Sequence, residues 1–160
     1  MKTIFTALVS LILLFTSASQ ADSVGVTIGS PTFVHYTVDL NPNMLEMGLS
    51  FEYDHANHAY ADYKKRFHDI FNNPHLKDLS LLYGAGGVVA ITNKDRADKS
   101  GLYGKKSGSL GLGVRLPLAL EWNPNHLKEL GISVNLNPVI AIVPKTSLEF
   151  MAGIGFKYYF

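Results

Sequence analysis

From residue 24 onward the chain places apolar side chains on every second position, with short or polar ones between, in runs broken by Pro, Asn and Gly. A period of two is the mark of a β-strand with one apolar face. Eight such runs can be laid out. Val24, Val26 and Ile28 form the first; Val34, Tyr36, Val38 and Leu40 form the second, which Asn41-Pro42-Asn43 turns. The third sets Leu45, Met47, Leu49, Phe51 and Tyr53 against Glu46, Gly48, Ser50 and Glu52, and a turn is expected at 54–57. The fourth is weaker, with Ala59, Ala61, Tyr63 and Phe67 opposite His58, Tyr60, Asp62 and Lys64. After a polar connection at 68–78, residues 79–91 form a fifth strand rich in Gly.

A long polar loop at 93–108 precedes the clearest run, in which Leu110, Leu112, Val114, Leu116, Leu118, Leu120 and Trp122 alternate with Gly111, Gly113, Arg115, Pro117, Ala119 and Glu121. The seventh strand sets Ile132, Val134, Leu136, Ile140 and Ile142 against Ser133, Asn135, Asn137 and Ala141. In the last, Phe150, Ala152, Ile154, Phe156, Tyr158 and Phe160 alternate with Glu149, Met151, Gly153, Gly155, Lys157 and Tyr159. Pro117 and Pro138 fall inside strands, where a residue that cannot donate to the ladder predicts a bulge or local break.

The first 21 residues obey a different rule. Lys2 precedes an apolar run over 4–15, too short for the ~20 residues that cross a bilayer as a helix, and Ser19-Gln20-Ala21 offers small residues at the positions a signal peptidase reads. Residues 1–21 are therefore expected to be a cleavable signal peptide, and 22–160 one exported β domain. The chain has no Cys, which excludes a disulfide framework and thiolate metal sites, and a net charge of +1 gives no signature of nucleic-acid binding.

Alternation alone does not separate a water-soluble sandwich from a closed barrel in a membrane. The second face decides. It is dominated by Gly, Ser, Ala and Asn with scattered charges, which suits a narrow lumen, while the apolar face is long-chain and aromatic and ends in Trp122, Tyr158 and Phe160, where an interfacial girdle belongs. The expectation is an all-β, eight-stranded, antiparallel up-and-down transmembrane barrel.

The closing run, ending on Phe160 after Phe156 and Tyr158, resembles the C-terminal assembly signal of bacterial outer-membrane β-barrels. Further pieces lie at 24–31 (Val-Gly-Val-Thr-Ile-Gly-Ser-Pro), 58–63, 82–87 (Leu-Tyr-Gly-Ala-Gly-Gly), 113–117 (Gly-Val-Arg-Leu-Pro), Asn137-Pro138 and 153–160. Together they resemble an uncharacterised family of small bacterial outer-membrane barrels, similar in size to OmpA-type and OmpX-type barrels. Ala119 stands where that pattern has Gly, and Lys157 where it has Arg. The resemblance implies location in the outer membrane, contact with its lipid and lipopolysaccharide, and handling by the barrel-assembly machinery during insertion. It brings no catalytic residues and no cofactor.

Glu52-Tyr53-Asp54-His55-Ala56-Asn57 has the His and carboxylates of a lipid A deacylase, but Asn57 stands where the Ser nucleophile belongs, so no catalytic residue is assigned. His55 and His58 without Cys make a weak metal site, and none is assigned. Gly84-Ala85-Gly86-Gly87 lacks the Lys-Ser/Thr of a phosphate loop and reads as strand. Lys94, Arg96, Lys99, Lys105 and Lys106 crowd the long loop, which strand counting puts outside the cell, beside lipopolysaccharide phosphates.

Parity turns Arg115, Lys157, Glu46, Glu52, Asp62 and Glu121 into the lumen, where charges must pair or bear a desolvation cost; Arg115 is expected at the centre of a hydrogen-bonded cluster with at least one of these carboxylates. The expected role is structural or interactive at the cell surface, without an open pore. The alternatives are a lipid-A-modifying hydrolase or acyltransferase, and a barrel holding a small apolar ligand.

Overall fold

The computed structural model describes residues 22–51, 56–68, 76–95, 101–104, 106–124 and 126–160. It is an antiparallel sheet of nine strands closed into a ring. In chain order these are β1 (Ser23–Ser30), β2 (Phe33–Asp39), β3 (Asn43–Phe51), β4 (Ala56–His68), β5 (Leu79–Thr92), β6 (Leu110–Arg115), β7 (Leu118–Trp122), β8 (Leu130–Val143) and β9 (Ser147–Tyr159). Each pairs with its sequence neighbours, except that β6 and β7 lie end to end between β5 and β8. β9 returns to β1 in the register Ser23↔Tyr159 to Ser30↔Ala152, so the sheet has no free edge. Among the described residues no helix is long and apolar enough to cross a membrane.

Eight runs become nine strands because the expected sixth strand divides at Leu116-Pro117. Pro117 still accepts from the Gly84 N–H at 3.0 Å, and Pro138 accepts from the Leu116 N–H at 2.9 Å, but neither proline can return a bond. The missing donors therefore fall at one point in the wall. β8 itself runs through Pro138 without the bulge or break expected there, and a separate register shift lies where Leu112 pairs with Val143 but Gly113 with Ala141. β4 also begins at Ala56, inside the turn expected over 54–57.

Alternation around the ring sorts side chains as the periodicity predicts: Val24, Val34, Leu120, Val134, Phe150 and Phe156 are exposed on the outer wall, whereas His35, Glu46, Asp62, Arg115, Glu121 and Lys157 are buried inside. On β5 the inward set is Ser80, Leu82, Val88, Ala90 and Thr92. Gly86 belongs to the same face, and a Cβ there would meet the Asp62 carboxylate and the Ala61 carbonyl. Its lack of a side chain is thus the room that Asp62 occupies.

The ring has two mouths. The terminal mouth holds the start of β1 and the end of β9, with the connections after β2, β4 and β7; the distal mouth holds those after β1, β3, β5 and β8. The distal half of the interior holds an apolar cluster: Phe33, Ala56, Tyr60, Val88, Ala90, Val139, Ala141 and Met151 pack together. Leu102, from the loop after β5, is fully buried among them. Residues 101–104 thus turn into the ring instead of standing in solvent as the loop's polarity predicts.

Candidate functional site

The conspicuous chemistry of the molecule lies inside the ring, where six charged groups alternate in sign. Lys64 Nζ is 2.6 Å from Glu46 Oε1, and Glu46 Oε2 is 3.0 Å from Lys157 Nζ. Lys157 Nζ is also 3.2 Å from Glu121 Oε2; Glu121 Oε1 is 3.1 Å from Arg66 Nη2, and Arg66 Nη1 is 2.9 Å from Asp39 Oδ2. The chain of charges runs over β4, β3, β9, β7, β4 and β2. Neutral donors complete it. Tyr60 donates to Glu46 Oε1 at 2.9 Å, Thr37 to Glu46 Oε2 at 3.2 Å and Tyr159 to Glu121 Oε1 at 2.7 Å, while His35 Nδ1 lies 3.8 Å from Glu46 Oε2.

Arg115 forms a separate pair nearer the distal half. Its Nη2 is 3.2 Å from Asp62 Oδ2, an ion pair without the alignment of a hydrogen bond. Its guanidinium lies 3.9 Å from the Tyr60 ring centroid and 5.5 Å from that of Phe33, and Nη1 approaches Met151 Sδ at 3.8 Å. Arg is suited to this place, because a planar, weakly hydrated cation can stack on aromatic faces and hold a carboxylate at once. Arg115 therefore joins the apolar layer to the charged one.

These ion pairs match four cations with four carboxylates. Ions matched in this way fill and rigidify the interior of the ring.

Of the six lumen residues named from parity, Glu46, Asp62, Arg115, Glu121 and Lys157 all face inward, and Glu52 lies outside the described residues. Arg115 meets Asp62 but makes no ion pair with Glu46 or Glu121, which Lys157 bridges instead. Sequence reasoning left out Lys64, Arg66, Asp39 and His35. The signal for the first two was present, since they continue the inward parity of β4, but Lys65 and Phe67 interleave with them and blur the pattern.

Lys94 and Lys106 are exposed beside the distal mouth, and Arg96, Lys99 and Lys105 lie outside the described residues, as do His55 and the expected signal peptide. Phe156, Tyr158 and Phe160 stand on the outer wall, with the Phe160 N–H donating to the Asp22 carbonyl at 3.0 Å. Among the described residues no group of three His, Asp or Glu side chains is placed to hold a metal ion.

The distal mouth is stoppered by residues 101–104. Glu149, turned inward from β9, accepts the Leu102 N–H at 3.0 Å, and Thr92 Oγ1 accepts the Gly104 N–H at 3.0 Å. Gly101 has φ +53°, and a Cβ there would collide with the Glu149 carboxylate, so both the bend and the approach need glycine. Leu102→Ala should lower the unfolding free energy by about 2 to 3 kcal/mol, through lost burial and an incompletely refilled cavity. Urea titration followed by Trp122 fluorescence measures it, and an unchanged midpoint would show that Leu102 is not seated inside.

A family model described as "Protein of unknown function (DUF3996)" matches residues 16–160 of the chain. No curated protein and no solved structure matches it.

Proposed function

We propose that this chain, which belongs to the DUF3996 family, is a small integral β-barrel of the bacterial outer membrane, with a structural or surface-interaction role and no open pore. One observation carries the reading: large apolar side chains are exposed all around the outer wall of a closed ring whose ion-pair network is inside. In water such a surface would be a severe aggregation liability, whereas against acyl chains it costs nothing. Trp122, Tyr158 and Phe160 gather on the outer wall toward the terminal mouth, in keeping with an interfacial girdle. The stoppered distal mouth and the matched charges support the absence of a pore.

With the termini on the periplasmic side, the loop bearing Lys94, Arg96, Lys99, Lys105 and Lys106 would meet lipopolysaccharide at the cell surface, and the assembly machinery would read Phe156, Tyr158 and Phe160. The test is a charge on the wall. Val134, exposed on β8 between Ile132 and Leu136, is replaced by Arg. In lipid vesicles Val134→Arg should destabilise the folded protein by about 2 to 4 kcal/mol, the cost of a cation near the bilayer midplane. Wild-type protein recovered folded without lipid or detergent, together with a harmless Val134→Arg, would sink the reading.

A further inference from the structure

We propose that Ser80 and His68 form the nucleophile and general base of an ester-cleaving site at the terminal mouth, taking a small carboxylic ester that bears a negatively charged group. The two residues lie directly opposite each other across β4 and β5, and Ser80 Oγ is 2.9 Å from His68 Nδ1. That separation is within the reach over which a base takes a nucleophile's proton. The same pair lines a cavity of about 320 Å³, large enough for a small ligand, which opens at the terminal mouth between the charged lumen and Lys77, Asp78, Asn123 and Lys128.

The walls of the cavity indicate the substrate. Glu121, the residue of β7 directly opposite Ser80, is engaged by Arg66, Lys157 and Tyr159, so its charge is already matched. Lys77 and Lys128 add two cations on the exposed rim, against the single carboxylate of Asp78. A surplus of positive charge around a serine favours a substrate with an anionic group and steadies the oxyanion that forms during attack.

In the reaction, Ser80 Oγ bonds to the carbonyl carbon while its proton passes to His68 Nδ1. The ester C–O bond then breaks, and the alcohol leaves with the proton that His68 returns. Water, deprotonated by His68, attacks the acyl-serine, releasing the acid and restoring Ser80. Because Ser80 and His68 are twelve positions apart, no short sequence motif contains them both. They meet only through the register of β4 on β5.

The experiment treats the folded mature protein in detergent micelles with a fluorophosphonate, which phosphonylates an activated serine with loss of fluoride. Peptide mass spectrometry should find the adduct on Ser80. Ser80→Ala should abolish it, and His68→Gln should slow it about 100-fold or more, with both variants unfolding at the wild-type temperature. On nitrophenyl esters, Lys77→Ala with Lys128→Ala should lower kcat/KM for an ester carrying a carboxylate and spare the uncharged acetate. Absence of a Ser80 adduct on folded protein, or equal labelling in His68→Gln, overturns the site. Equal loss on both esters overturns the assignment of an anionic substrate.

Discussion

Replacing Lys157 by Met should cost the folded protein about 3 to 5 kcal/mol, because it leaves an uncompensated negative charge in a dry interior. Lys157 is 5% exposed and touches two carboxylates, Glu46 at 3.0 Å and Glu121 at 3.2 Å. Each retains one cation after the change, Lys64 and Arg66 respectively, but the chain of charges then carries three carboxylates against two cations. Met matches the length of the Lys stem closely, so packing changes little and the loss is electrostatic. Adding Glu121→Gln restores the charge count and should recover most of it. Urea unfolding of the single and double variants measures both effects. A single variant as stable as wild type would mean that water reaches these groups freely.

Arg115→Leu is expected to cost a similar amount, about 3 to 5 kcal/mol, for a more local reason. Asp62 is fully buried, and among the described residues its one ion-pair partner closer than 4 Å is Arg115, at 3.2 Å. Leu at 115 would still fill space beside Phe33, Tyr60 and Met151, yet the carboxylate would stand bare and the stacking on Tyr60 would be lost. Arg115→Leu combined with Asp62→Asn removes both charges and should lie much closer to wild type than the single variant. The double-mutant cycle isolates the coupling. Additive losses would show that the 3.2 Å approach contributes nothing.

Much of the ring was legible from parity alone. Where seven apolar residues alternate without a slip, as at Leu110 to Trp122, inside and outside follow from the pleat, and only the Pro117 break divides the run. Parity gives the face of a strand but not its height relative to a neighbour. It therefore put Arg115, Lys157 and the carboxylates in one lumen without pairing them; that needed the register Glu46↔Asp62 on β3 and β4, and Gly86↔Arg115 on β5 and β6. Leu102 was hidden for another reason. A single Leu in a polar loop has no periodicity to betray it, and the nearest cues, Gly101 and Gly104 around it, read equally well as an ordinary turn.

The closure of β9 on β1 bears on the order in which the molecule can be assembled. Glu46 and Glu121 lie far ahead of Lys157, the cation they share on β9. Arg66 likewise waits for Tyr159, 93 positions later. A sheet of β1 to β8 alone would carry these acids half-neutralised beside an open edge, in a state that retains water and resists burial. The last strand supplies both the missing hydrogen-bond ladder and the missing counter-ion in a single step. Zipping the seam and drying the interior are thus one cooperative event, and a chain truncated before Lys157 should remain a hydrated, unclosed sheet.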